Sequence, residues 1–523
     1  MPATCSRRPF PPVHPPAVGR LSNHLFLRSK LMRAGVSLWA VAVLLVSPTT
    51  PIACGAEPTT ATLDRQPPNV LVILVDDMGY GDPGCFNPDS KIATPNIDSL
   101  ASAGMKFTDA HAPGPLCHMS RYGLMTGRYP FRTDCGKWRF GPVIDSERMT
   151  IASVMKQSGY RTAMVGKWHL GFDESNGYDQ PLTGGPVDRG FDSFFGIRAS
   201  TDIPPYFYIR GNRAVAPPTD QIGDRRSEGW SPIQGEFWRA GGIAPGLALA
   251  DVLPRFTDEA ISVINAHSEQ KTKQPLMMYL AYPAPHTPWL PSESFAGKSG
   301  AGMYGDFLMM VDHMIGRVLK SIDDAGMTND TLVLFSSDNG PVWYDEDVKR
   351  FQHDSSGGLR GMKADAWEAG HRMPMIARWP STVAAGTTTS QMVCFTDLLA
   401  TFAELTQTKL GPDDGPDSVS FLPVLTGERR DDDRVRKHMV IRSGGPLMTI
   451  RQDQWKLIDG LGSSGFSKPK SVSPSPGGPT GQLYNLSDDL GETNNLYESH
   501  PDLVSELKEK LREIRTQKGR PSS

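Results

Sequence analysis

The chain has little cysteine, almost no net charge, no internal repeat and a single long apolar run. Six cysteines in 523 residues are too few for a disulfide scaffold. They are Cys5, Cys54, Cys85, Cys117, Cys135 and Cys394, and a single bridge is compatible with that number. The 57 acidic and 54 basic residues leave a net charge of −3. That argues against nucleic-acid binding, which wants a broad basic face. It leaves room for a small anionic ligand, because a local site can be positive on a neutral protein. The apolar (38%) and charged (21%) fractions are those of a folded soluble protein, long enough for a large core and two or three domains.

The long apolar run, "VSLWAVAVLLV", lies near the N-terminus. Arg7, Arg8, Arg20, Arg28, Lys30 and Arg33 precede it and the small-residue zone "PIACGAE" follows. A charged region, a short apolar region and a cleavage zone predict a signal segment over residues 1–56, and residues 32–56 from Met32 already make a complete one. The run is short for a membrane span. Cys54, after Ile52-Ala53, resembles a lipoprotein acceptor, with Pro51 where such sites take Leu. A lipid anchor there is the one expected route to a membrane. The mature chain is expected to be exported: periplasmic, cell-surface or secreted.

Beyond the signal, apolar strands alternate with helical patterns. "NVLVILV" is a continuous apolar run, expected of a strand buried on both faces. "TPNIDSLASAGMKF" reads as a capped helix, and "TIASVMKQSGY" and residues 254–267 and 303–324 as further helices. "RTAMVGKWHLG", "PLMMYLAYPAPH" and "TLVLFSSDNG" read as strands running into loops. This predicts an α/β fold with a large, doubly wound, parallel sheet. Residues 197–250 lack periodicity and suggest an insertion over the site. After about residue 405 come "HMVIR", "LMTIRQDQWKLI" and "GQLYNL", short strands of an antiparallel sheet, then a helix with Leu503, Leu507, Leu511 and Ile514 on one face. The expected domains are therefore 57–405 and 406–523.

In a doubly wound sheet, ligands bind beyond the carboxyl ends of the strands. Asp76-Asp77, Lys167 with His169, His286, and Asp338-Asn339 each follow one apolar strand. Either acidic pair alone reads as turn or helix capping. Together they offer an oxygen cage suited to Ca²⁺ or Mg²⁺ rather than Zn²⁺. Lys167, His169, His286 and Lys363 could hold a tetrahedral oxyanion and supply a proton to a leaving group, although each alone reads as a bonded loop or surface residue. Cys117, in "PGPLCHMSRYGLMTGR", stays ambiguous by itself: a buried thiol, half of a disulfide, or a nucleophile at a helix N-terminus with Arg121 one turn on. A thiolate would want His118 or His111 as partner, and that reading leaves the oxygen cage unexplained. Trp138, Trp230, Trp238 and Trp289 offer sugar-stacking faces, or are simply buried.

"CHMSRYGLMTGR" resembles the signature of the type I sulfatases, C-x-P-S-R with a Thr-Gly-Arg ending. "DDMGYGD", "GKWHLG", "GFDSFFG", "PHTP", "SDNG", "LRGMK…EAGHRMP" and "QLYNLSDDLGETNNL" follow in the family's order, so the resemblance runs from residue 69 to about 500. It implies an alkaline phosphatase-like fold: a large, mixed, mostly parallel sheet and a smaller C-terminal α+β domain of four antiparallel strands plus a helix. It implies that Cys117 is oxidised to formylglycine by a maturation enzyme. The aldehyde is hydrated beside Ca²⁺; one hydroxyl attacks sulfur, and the second loses its proton to release sulfate. Asp76, Asp77, Cys117, Asp338 and Asn339 would be the metal ligands, with Arg121 holding the hydrated aldehyde. His169 would take the proton in the release step. Lys167, His286 and Lys363 would bind sulfate, with His286 or Lys363 protonating the leaving oxygen. Met119 departs from the pattern, standing where the family has Pro in the motif that the maturation enzyme reads. An unconverted Cys117 would leave an inactive sulfated-glycan-binding relative. A phosphodiesterase or phosphonate hydrolase of the same superfamily is the other alternative. Export makes a sulfated carbohydrate the expected substrate.

Overall fold

The computed structural model describes residues 67–270 and 274–520; the signal segment and Cys54 lie outside the described residues. Strand Asn69–Asp76 is central to an 11-stranded sheet. Val70, Val72 and Leu74 enter one apolar layer and Leu71, Ile73 and Val75 the other. The period of two thus places every side chain of the run in a core, each contributing roughly 1.5–3 kcal/mol of burial. One layer is closed by helices Cys117–Thr126, Ile151–Gln157 and Asp397–Leu405. The other is closed by Pro95–Ser102, Val252–Glu269 and Gly302–Asp324. The helices expected over 150–160, 254–267 and 303–324 are all present.

Strands Thr331–Ser337 and Leu276–Pro285 flank the central strand, both parallel to it. Arg161–Lys167 and then Ser193–Ile197 continue the parallel run. Asp338, Asp76, His286 and Lys167 consequently emerge side by side at the carboxyl ends of four adjacent strands. Gly166 permits the last of these exits: its φ is 118°, and a Cβ there would lie 1.9 Å from the Ala281 carbonyl oxygen.

The sheet is mixed because Arg372–Arg378 pairs antiparallel with Thr331–Ser337, and Met105–His111 antiparallel with Arg372–Arg378. Neither strand stands out in the sequence. Pro374 interrupts the first at a register shift, and a proline demotes any run read as an interior strand. The second was expected to continue the helix of "TPNIDSLASAGMKF", but that helix ends at Ser102. At Gly104 a Cβ would meet the Ala377 carbonyl at 2.3 Å, so the chain turns there into the sheet. Thr94 does not cap this helix with its side chain; the Asn96 and Ile97 amides donate to Asp312, more than two hundred residues on.

Strands His438–Arg442, Met448–Gln452, Trp455–Ile458 and Gln482–Asn485 form an antiparallel sheet in that order. Helix Pro501–Thr516 packs on it through Val504, Leu507 and Leu511, with Leu503 and Ile514 at the margin. The four described cysteines, Cys85, Cys117, Cys135 and Cys394, are free thiols, so no bridge forms among the described residues. No described helix is long and apolar enough to cross a membrane.

Candidate active site

Cys117 opens helix Cys117–Thr126 and is 4% exposed. Its Sγ lies 3.2 Å from Asp76 Oδ1 and 3.5 Å from Lys363 Nζ. Burial, then the charges of Asp338 and Asp76, push the Cys117 thiol well up. It is a protonated thiol, the opposite of what a thiolate nucleophile needs. The two proposed imidazole partners do not serve it either. His111 Nε2 bonds Asp109 at 2.7 Å and its Nδ1 meets His371 Nδ1 at 3.0 Å. His118 turns instead toward Trp138 and His169, with ring centroids 6.3 and 5.7 Å away.

Three carboxylates and three cations interlock around the sulfur. Lys167 Nζ is paired with Asp76. Lys363 Nζ reaches Asp77 Oδ1 and Oδ2 at 2.6 and 2.8 Å. Arg121 reaches Asp338 Oδ2 through Nη2 at 2.8 Å and Nε at 2.9 Å, and Asp76 through Nη2 at 3.5 Å. Its Nη1 donates to the Lys167 carbonyl at 3.0 Å, and the Tyr279 hydroxyl stands 3.5 Å away. Burial alone would raise the Asp76 carboxyl, but Lys167, then His286, Arg121 and Lys363, hold it well below the usual range. Burial and then Asp76 push Asp338 up to about 6 against the pull of Arg121. Asp77 adopts a left-handed φ of 66°, turning out of the strand that ends at Asp76.

Asn339 and His169 are among the described groups of this buried site that lack partners. Asn339 Nδ2 donates to Asp77 Oδ1 at 2.6 Å and to the Gly340 carbonyl at 2.9 Å, while its Oδ1 has no hydrogen-bond partner. Both ring nitrogens of His169, which is 4% exposed, are also unpartnered. Unmade hydrogen bonds on buried groups are costly, and a ligand bound at these positions would satisfy them. Ligand atoms of Asp76, Asp77, Cys117 and His286 lie within 4.8 Å of one another. Carboxylates with a free amide oxygen fit a hard divalent cation. Adding one to the balanced carboxylates and cations would leave two positive charges, suited to an anionic substrate.

His286 is half-buried and donates from Nδ1 to the Thr287 carbonyl at 2.7 Å. A carbonyl only accepts, so Nδ1 carries the proton and Nε2 faces the site, 3.7 Å from Asp77 Oδ2. Burial, then Lys167, His118, Arg121 and His286, lower the His169 pKa well below its ordinary value. The ring of Trp138 stands edge-on to His169 at 4.3 Å and is buried, as is Trp289; neither offers an open sugar-stacking face.

The structure thus gathers Asp76, Asp77, Cys117, Arg121, Lys167, His169, His286, Asp338, Asn339 and Lys363 at one end of the sheet. The sequence reading missed Tyr279 and Asp202. Tyr279 lies inside an apolar strand. Asp202 is buried in the aperiodic segment 197–250, with Oδ1 3.9 Å from His286 Nδ1 and Arg239 paired to its carboxylate. No local pattern marks it. The same segment rests on the site through Gln234, which donates to the Val342 carbonyl at 2.9 Å and to Asp347 at 2.8 Å.

Known proteins resemble this chain over most of its length. The sulfatase family model matches residues 68–408, and that of the N-sulphoglucosamine sulphohydrolase C-terminal region matches 363–517. The chain is 33% identical over 493 residues to an N-acetylgalactosamine-6-O-sulfatase of Bacteroides thetaiotaomicron, covering 87% of this chain and 94% of that one. It is 34% identical over 371 residues to human arylsulfatase A, covering 69% and 68%. A solved structure from a study of glycosaminoglycan metabolism by Bacteroides thetaiotaomicron superposes with a TM-score of 0.76 at 31% identity, covering 87% of this chain and all of that one. With its mixed sheet, separate antiparallel sheet and cysteine-centred site, the chain belongs to the type I sulfatases of the alkaline phosphatase-like superfamily and is a sulfuric ester hydrolase.

Proposed function

We propose that the protein is an exported sulfatase that removes sulfate from carbohydrate, using a formylglycine made from Cys117 and a Ca²⁺ held by Asp76, Asp77, Asp338, Asn339 and residue 117. The observation that carries the reading is the pairing of a buried, protonated Cys117 with an unsatisfied Asn339 Oδ1 and an unsatisfied His169. Formylglycine supplies, once hydrated, one hydroxyl for attack on sulfur and a second whose deprotonation frees sulfate. A cation held by these residues would supply charge toward sulfate oxygens and lower the pKa of a hydroxyl beside it.

The chain's own residues do the rest. Lys167 and Lys363, paired with Asp76 and Asp77 around residue 117, bind sulfate oxygens. Arg121 keeps Asp338 and Asp76 in place and orients the group at 117. His286, its Nδ1 fixed by the Thr287 carbonyl, presents Nε2 to protonate the leaving alcohol, with Lys363 the other donor. His169 is neutral and accepts the proton whose loss releases sulfate. The carbohydrate assignment is supported by the relatives named above, one an N-acetylgalactosamine-6-O-sulfatase. Export rests on the charged and apolar segment over residues 1–56.

The test is the mass of the Cys117 peptide from the native host together with turnover of an aryl sulfate and an aryl phosphate diester. An aldehyde at 117 and preference for the sulfate are expected. Unmodified cysteine throughout would overturn the mechanism and leave a sulfate-binding relative; preference for the diester would favour the phosphodiesterase alternative.

A further inference from the structure

The backbone turn that carries Lys363 is held by four other segments of the chain. Lys363 and Asp365 flank Ala364, which adopts a left-handed φ of 73°. That conformation is uncommon for a residue with a side chain and persists where its surroundings fix it. The Lys363 amide donates to the Pro341 carbonyl at 2.9 Å, in the loop that follows Asp338-Asn339. The Ala364 amide donates to the Pro115 carbonyl at 2.8 Å, in the loop that leads into Cys117. The Ala364 carbonyl accepts the Gly444 amide at 2.8 Å, from the turn between strands His438–Arg442 and Met448–Gln452.

The fourth segment is reached through the side chain of Asp365. This carboxylate is fully buried, and among the described residues it forms no ion pair. Backbone amides satisfy it instead. Its Oδ2 accepts the Met362 amide at 2.9 Å, on the near side of Lys363. Its Oδ1 accepts the Phe466 and Ser467 amides at 2.7 and 3.1 Å. Those two residues belong to the small antiparallel sheet, in the connection between strands Trp455–Ile458 and Gln482–Asn485. The contact is close. A Cβ on Gly465 would lie 2.3 Å from the Ala364 carbonyl carbon and 2.4 Å from Asp365 Oδ1. One carboxylate therefore braces the Lys363 turn against the small sheet. From that turn Lys363 Nζ reaches Asp77 and stands 3.5 Å from Cys117 Sγ. A lysine head group rides on a flexible four-carbon stem, so its placement depends on the backbone that launches it.

We propose that Asp365 is the positioning residue of Lys363, and that through it the small sheet sets the geometry of the site in the large one. This rests on the reading of Lys363 as a sulfate-binding group. A carboxylate that merely stabilised the fold would lower activity whether or not Lys363 were present.

The experiment is a double-mutant cycle on the mature, converted enzyme. It combines Asp365→Asn and Gly465→Ala, each in turn, with Lys363→Ala. Asparagine has the size of aspartate but sets an NH2 group against one of the amide donors. Gly465→Ala disturbs the same contact from the small sheet. Each is measured by kcat and KM on a sulfate ester and by competitive inhibition with inorganic sulfate. In the wild-type background both are expected to lower kcat/KM roughly tenfold to a hundredfold and to weaken inhibition by sulfate. In the Lys363→Ala background the same changes should cost less than about twofold, because the group they act through is gone. Equal losses in the two backgrounds, or no loss in either, would overturn the proposal. If Asp365→Asn does not fold, Gly465→Ala carries the same cycle. Full activity of Lys363→Ala would overturn both the proposal and the reading of Lys363. If the wild type turns over no sulfate ester, the catalytic reading fails, and calorimetry with inorganic sulfate reads the cycle. A loss of affinity that disappears in the Lys363→Ala background would uphold the positioning role; an equal loss, or no binding, would not.

Discussion

At the scale of single residues, Met119 and His169 carry the sharpest consequences. Met119 is buried in the core, its amide donating to the Leu116 carbonyl at 2.9 Å in the first helical turn. The folded protein therefore accommodates it, and under the proposed function its effect would fall on conversion of Cys117. Met119→Pro is expected to raise the fraction of Cys117 converted, read by peptide mass, and with it the specific activity. His169 titrates below its ordinary value of 6.5, so it is already neutral and able to accept a proton at pH 6.5 and above. An acid limb of kcat due to this group must then lie below pH 6.5, and a pH profile checks this. His169→Ala should lower kcat by roughly 10²–10⁴ with a smaller change in KM. Cys117 was legible as the central residue only through its motif, because burial, which makes it an inert thiol, leaves no mark on neighbouring letters.

At the scale of elements, the two sheets are bolted together by a buried polar cluster. Lys456, from strand Trp455–Ile458, pairs with Glu368 at 3.0 Å and Glu492 at 2.8 Å, and meets His371 Nε2 at 3.2 Å. Glu368 also holds Arg372 at 2.7 Å, and Asp109 takes Arg372 at 2.7 Å and Arg451 at 3.2 Å. His111, Glu368 and His371 come close enough to suggest a metal site. Lys456 and Asp109 already occupy their nitrogens, in a chain from Lys456 through His371 and His111 to Asp109. Lys456→Met would leave buried carboxylates uncompensated, and a loss of roughly 3–5 kcal/mol in chemical unfolding is expected. Glu492→Gln in the same chain should recover part of it. The parallel strands around Asn69–Asp76 and the longer helices were readable from periodicity, but not the two antiparallel strands Met105–His111 and Arg372–Arg378 or the end of the first helix at Ser102. The cluster was not, because its members come from segments more than three hundred residues apart.

At the scale of the whole molecule, the proposed metal site couples to the stability of the fold. A cation that binds only the folded site stabilises by about 2.7 kcal/mol at a hundred times its Kd. Addition of Ca²⁺ should therefore raise the melting temperature, chelation should reverse the rise, and Asn339→Leu should weaken it. The sequence by itself determined the alternation of strand and helix, the small antiparallel sheet and the polar residues at the strand ends, since each is written in local periodicity and local motif. Only the tertiary structure decided which strands run antiparallel in the large sheet, that burial pushes the Cys117 thiol up, and that His111 serves a distant cluster. Those outcomes depend on which charges burial brings together, and the energy of a charge is set by neighbours in space rather than in sequence.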